Sequence, residues 1–144
     1  HILEIRGADR LPFGYEIVPA AFFKGLLRST KILDDIFSIC KNWSISKRNI
    51  LNTAASSLNF NQSIFDGIKI RDLCEKILLL AIDGLTTFDE SQFLEPFAEH
   101  FLNEGPFSLS TQKLYRKSGK EVKQFLKNRW LDQKQFLSDY TSNS

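Results

Sequence analysis

The stretch Ile2-Leu3-Glu4-Ile5-Arg6 alternates apolar and charged side chains with a period of two. That is the mark of a strand with one apolar and one polar face. Gly7 and Ala8 then permit close backbone approach, and Asp9 and Pro12 turn the chain into apolar sequence of helical spacing. One strand leading into a helical array constrains the fold strongly. A lone strand leaves its backbone donors and acceptors without ladder partners. Sheet neighbours are therefore expected upstream, in a longer polypeptide of which this is a piece. A start at His1 with no Met anywhere points the same way. An open strand edge also suits pairing with a second copy, so a homodimer is one expected assembly.

The polar face of this strand carries chemistry. A carboxylate (Glu4) and a guanidinium (Arg6) project side by side, followed by Asp9 in the turn. Such a pair can hold a divalent cation and a phosphoryl group. It can equally form a cross-strand salt bridge at a sheet surface, a common and weak feature.

The rest of the composition excludes several classes. At 42% apolar and 25% charged, with thirteen Phe, the 144 residues suit one globular domain with a real core. The longest apolar run, Ile77 to Ile82, falls far short of the roughly 20 residues needed to cross a bilayer, so no membrane partner is expected. Cys40 and Cys74 belong to no metal-spacing motif and fall on expected helix positions, which fits reduced thiols and a cytoplasmic setting. His100 has no second His or Cys at ligand spacing and reads as a surface or boundary histidine. From Lys113 to Lys134 eight basic residues face two acidic ones, +6 within a net charge of +2. They fall on the polar face of an amphipathic helix, the pattern of a solvated surface, and no nucleic-acid partner is expected.

Helical spacing predicts seven helices. The first spans about 16–28 with Pro19 in its first turn, a stripe of Phe22, Phe23, Leu26 and Leu27, and Ala20, Ala21 and Gly25 for tight packing. The second, about 31–42, is capped by Ser29 or Thr30 and carries Ile32, Leu33, Ile36, Phe37 and Cys40 on one side. The third runs from Ser44 or Ser46 to about 57. Residues 58–67 read as a loop. The fourth, about 68–85, is the most apolar, with Leu73, Ile77, Leu80 and Ala81 deepest. Asp89 and Gln92 suggest a capping box opening the fifth, which ends at Gly105-Pro106. Ser108 or Ser110 caps a sixth ending near Gly119. The seventh, about 120–140, places Val122, Phe125, Leu126, Trp130, Phe136 and Leu137 on one side.

Glu4-Ile5-Arg6-Gly7-Ala8-Asp9, followed by Pro12-Phe13 and by Pro19-Ala20-Ala21-Phe22-Phe23-Lys24-Gly25-Leu26-Leu27, resembles the plant-type branch of the glutamate–cysteine ligases. The similarity continues at Ala81 to Leu85, at Asp89-Glu90 to Phe93-Leu94 and at Leu114-Tyr115. It covers nearly the whole chain, as the C-terminal part of a longer enzyme. The resemblance implies a mainly α fragment whose opening strand belongs to the antiparallel sheet of a glutamine-synthetase-like α+β fold. It implies a ligase that joins glutamate to cysteine with ATP and magnesium through a γ-glutamyl phosphate, the first step of glutathione synthesis. Glu4 would stand where such enzymes place a carboxylate on magnesium, and Arg6 where they place the arginine on the transferred phosphoryl group. Magnesium takes hard oxygen ligands, and a guanidinium offers fixed donors to phosphate oxygens. Asp9 would organise the turn or orient Arg6.

The chain departs from that pattern at Arg10-Leu11 and Phe13, where the branch has a Gly-Gly pair and a Trp. The Pro-Ala-Phe step is also shifted by one residue. Arg10 adds a cation at the rim and bears on which amine or carboxylate is accepted. The fragment, lacking the nucleotide and amino-acid pockets, is expected to need the remainder of the polypeptide for activity. Two other readings stand beside this one: a related carboxylate–amine ligase acting on another amine, and a non-catalytic helical interaction domain on the same scaffold.

Overall fold

A computed structural model describes residue 5 and residues 11–57 and 59–127. Over these residues the chain is helical, with no strand beyond an isolated bridge between Ser63 and Lys69. The expected strand falls outside them apart from Ile5, which is exposed. The helices are α1 (Val18–Leu27), α2 (Thr30–Cys40), α3 (Ile45–Ala55), α4 (Ile70–Thr86), a 3-10 turn (Ser91–Phe93), α5 (Glu95–Glu104) and α6 (Phe107–Lys117). Residues 122–127 are helical as well; Trp130, Phe136 and Leu137 of the expected seventh helix lie outside the described residues. The chain divides into two compact units, His1–Gly105 and Pro106–Ser144.

Local chemistry sets several helix ends. The Ser29 hydroxyl accepts the Ile32 N–H at 3.2 Å, and the Ser44 hydroxyl accepts the Lys47 N–H at 3.2 Å. Each satisfies one of the donors a helix start leaves open. Pro19 and Pro96 sit in first turns, where a missing N–H costs nothing. Gly105, at φ +83°, closes α5 by donating its N–H to the Phe101 carbonyl at 2.9 Å, with Pro106 directly after it.

Two expected caps are corrected. Asp89 and Gln92 form no capping box: Gln92 Nε2 donates to the Asp89 main-chain carbonyl at 2.8 Å, and Asp89 sits at φ +56°. The turn they share therefore precedes the 3-10 segment, and α5 begins later, at Glu95. Ser108 and Ser110 lie inside α6, whose N-cap position is Pro106 with no side-chain cap.

The core of the first unit joins Val18 and Ala21 of α1, Leu78, Ala81 and Leu85 of α4, and Leu94 and Ala98 at α5. α1 and α4 cross at their smallest residues. A Cβ placed on Gly25 would lie 2.8 Å from the Ala81 carbonyl carbon and nearer still to its oxygen. A Cβ on Gly84 would lie 2.8 Å from the Gly25 carbonyl carbon. Each backbone thus fills the space a side chain would take on the other, and glycine Cα–H groups face carbonyl oxygens, contacts worth about 0.5–1 kcal/mol each.

This crossing corrects the expected stripes. On α4 the fully buried positions are Ile70, Leu78, Ala81, Gly84 and Leu85, while Leu73, Ile77 and Leu80 are half-buried. On α1 they are Val18, Ala21 and Gly25, with Phe22 and Leu26 packed beside them and Leu27 exposed. The seam follows the residues that let two backbones meet, and the large side chains are displaced to its edges. α2 buries only Ile32 fully; Leu33 and Phe37 stand exposed.

Arg71, at the start of α4, ties this core to α5. Its guanidinium donates to the Leu102 carbonyl in the last turn of α5, where a cation also complements the helix dipole. The adjoining Phe60 and Phe101 rings meet edge to face at 4.9 Å. Arg71→Met keeps the stem and removes the charged donor. It is expected to cost about 1.5–3 kcal/mol, read as a lower urea midpoint with an unchanged slope.

Within the second unit, α6 buries no residue fully and carries Arg116 and Lys117 in its last turn. Tyr115 and Phe125 pack edge to face at 5.6 Å, while Val122 and Leu126 are exposed.

Candidate functional site

Glu4, Arg6, Asp9 and Arg10 lie outside the described residues. What the structure does describe is the platform onto which the chain emerges at Leu11. Leu11 packs against the core. Residues Pro12 to Tyr15 form a tight turn in which the Tyr15 N–H donates to the Pro12 carbonyl at 3.1 Å and the Tyr15 carbonyl accepts from Val18 at 3.1 Å. Gly14 takes φ +88°, and its N–H donates to the Glu16 carboxylate at 2.9 Å. The Tyr15 ring lies edge-on to Phe97 at 6.5 Å and tilted against His100 at 6.4 Å, both on α5. His100 is half-buried in this contact, a boundary position rather than the fully exposed one that the sequence also left open.

The far end of α1 is held separately. Lys24 pairs with Glu90 at 2.6 Å, and the Arg28 guanidinium sits 3.7 Å over the Phe88 ring. Both partners lie in the segment leaving α4. Lys31 stands 3.7 Å from Asp35 and from Asp83. These pairs are exposed and individually weak; cation–π contact at such a site adds about 0.5–1 kcal/mol. With the glycine crossing between them, they leave α1 fixed at its start, middle and end.

Among the described residues no three His, Cys, Asp or Glu side chains gather where they could hold a metal ion. Cys40 and Cys74 are free thiols. Burial pushes the Cys74 thiol up, which makes it a poor nucleophile at neutral pH.

Sequence reading noticed that Gly25 allows tight packing but missed its partner Gly84. A helix-end glycine invites a capping explanation, and only its i−3 spacing from Ala81 signals a second small notch. It also missed Tyr15, whose ring binds the turn to a helix some eighty residues later.

Over 67% of its length the chain is similar to a plant glutamate–cysteine ligase. That relative, the chloroplastic enzyme of Medicago truncatula, is 31% identical over 99 residues, which make up 19% of its own length. The chloroplastic glutamate–cysteine ligase A of Oryza sativa subsp. indica is 34% identical over 83 residues, 58% of this chain and 17% of that protein. The chloroplastic ligase of Brassica juncea is 28% identical over 99 residues, 67% of this chain and 19% of its own. The chain thus spans less than a fifth of the length of the curated relatives it matches. No family model matches it, and no solved structure does. Among the described residues no helix is long and apolar enough to cross a membrane.

Proposed function

We propose that this chain is the C-terminal part of an ATP-dependent glutamate–cysteine ligase and supplies one wall of its phosphoryl-transfer site. The single observation that carries the reading is the 31% identity over 99 residues with a glutamate–cysteine ligase. In this reading ATP with magnesium supplies the phosphoryl group that activates the γ-carboxylate of glutamate, and the amine of cysteine then displaces phosphate. Arg6 presents planar donors to the oxygens on which charge accumulates. Glu4 offers a hard carboxylate oxygen to the metal, alongside carboxylates from elsewhere in the polypeptide. Asp9 shapes the turn, and Arg10 places a cation at the rim. The platform of Tyr15 and the α1–α4 crossing supports this reading, because a transferring group must be met by side chains held within a fraction of an ångström. A sheet and an N-terminal region outside this chain complete the site, so residues 1–144 alone are inactive. A reducing, cytoplasmic setting belongs to the same proposal, although the relatives named above are chloroplastic.

Arg10 and Leu11 favour one second reading, a ligase of the same type that uses another amine. Both are tested by ADP release from the intact protein supplied with ATP, magnesium and glutamate. The first reading expects release that depends on cysteine; the second expects another amine to exceed cysteine. No glutamate-dependent release with any amine would dismiss both.

A further inference from the structure

We infer that Tyr15 is a positioning residue: it clamps the turn at which the charged stretch meets the helical core, and so fixes where Arg6 meets the transferring phosphoryl group. The turn is fastened at two points. Leu11 packs on the core, and the Tyr15 ring lies against Phe97, edge-on at 6.5 Å, and against His100, tilted at 6.4 Å. Between these points the backbone holds itself. The Tyr15 N–H donates to the Pro12 carbonyl and the Val18 N–H to the Tyr15 carbonyl, both at 3.1 Å. Gly14 supplies the φ of +88° that the turn requires.

What Tyr15 grips is itself fixed. Phe97 stacks on Phe101 at 5.7 Å, and Phe101 meets Phe60 edge to face at 4.9 Å. Leu94 and Ala98 sink the same side of α5 into the core, and the Arg71 guanidinium holds the Leu102 carbonyl. A tyrosine ring offers a large contact with only two side-chain torsions to freeze, so such a grip is rigid at low entropic cost.

The need for a grip follows from the sequence between. Leu11 lies five residues after Arg6, and Gly7 and Ala8 in that link offer almost no side chain for an anchor of their own. A strand held only by its ladder can slip in register, and a slip of one residue turns every side chain to the opposite face. Arg6 would then leave the site. A fixed point at the near end of the link limits the slip. Tyr15 touches no reacting atom, but a displacement of about 1 Å at the reacting centre costs on the order of 10²-fold in rate. The role rests on the ligase reading; the clamp rests on the contacts alone.

Tyr15→Leu in the intact protein tests this. It is expected to lower kcat for glutamate-dependent ADP release by about 10²-fold. The KM for glutamate should change little, because lost alignment is felt in the transition state. Tyr15→Phe keeps the ring against Phe97 and His100 and is expected to keep most of the rate. Ile32→Val trims a buried side chain of α2 and destabilises the same unit, but is expected to leave kcat unchanged. Amide exchange over residues 2–9 gives a readout free of the reaction: Tyr15→Leu quickens it and Ile32→Val does not. Should Tyr15→Leu fail to fold, Phe97→Leu removes the facing ring and carries the same expectations. Unchanged kcat, or unchanged exchange over residues 2–9, overturns the inference. So does an equal loss of kcat in Ile32→Val, which would make the effect one of stability. If the wild-type protein releases no ADP with any amine, the ligase reading falls, and exchange over residues 2–9 alone decides whether the clamp stands.

Discussion

Gly25→Ala is expected to lower the unfolding free energy by about 2 kcal/mol, although it adds only one methyl group to a helix. Alanine gains about 1 kcal/mol over glycine in helix propensity. Against that stands overpacking of the top of its usual range, about 3 kcal/mol, because the new Cβ meets the Ala81 main chain at 2.8 Å and below. A backbone carbonyl cannot swing aside as a side-chain end can, so the two helices must separate. That separation loosens Ala21, Leu78, Ala81 and Leu85 together. Gly84→Ala meets the Gly25 main chain in the same way and is expected to cost a similar amount. One separation relieves both clashes, so the double variant should be little worse than either single one. Urea midpoints of the three variants check this; wild-type stability in Gly25→Ala would mean that α1 and α4 do not meet there.

Arg6→Ala is expected to reduce kcat of the intact protein by at least about 10²–10³-fold, the usual cost of removing one donor from a developing charge. An interaction made mainly in the transition state is lost from kcat with little change in the KM for glutamate. Arg6→Lys keeps the charge but not the two-pronged donor geometry, and should fall between. Steady-state ADP release, with the unfolding midpoint followed in parallel, distinguishes this from misfolding. Unchanged glutamate-dependent ADP release in Arg6→Ala would dismiss the proposed site.

The existence of the helices was legible because it is a local property. Ser29 and Ser44 before apolar-periodic runs, Pro19 in a first turn and Gly105-Pro106 at a helix end each act within one turn of where they stand. Boundaries moved where a competing local bond intervened, as when Gln92 turned to the Asp89 carbonyl. Buried faces were less legible. Hydropathy marks a broad apolar arc, and within that arc Leu73, Ile77 and Leu80 look deeper than Gly84. The order reverses because burial follows the closest approach of two backbones, which the smallest residues allow. Leu33 and Phe37 likewise read as apolar helix positions, yet the fold leaves them on the surface.

For the candidate site the division is sharper. The residue types of Glu4, Arg6, Asp9 and Arg10 carry their chemistry in the sequence itself, since a carboxylate and a guanidinium keep their charge and donor geometry wherever they are placed. Local pattern in the chain sufficed for the helical class, for two of the four expected side-chain caps (Ser29 and Ser44) and for the charged pair on an alternating stretch. The three-dimensional packing was needed to see that Tyr15 is fastened to α5, that Gly25 and Gly84 share one notch, and that Gln62 stands opposite the uncharged face of α3. Each of those joins residues distant along the chain, and such contacts depend on shape matched across helices, which no local pattern encodes.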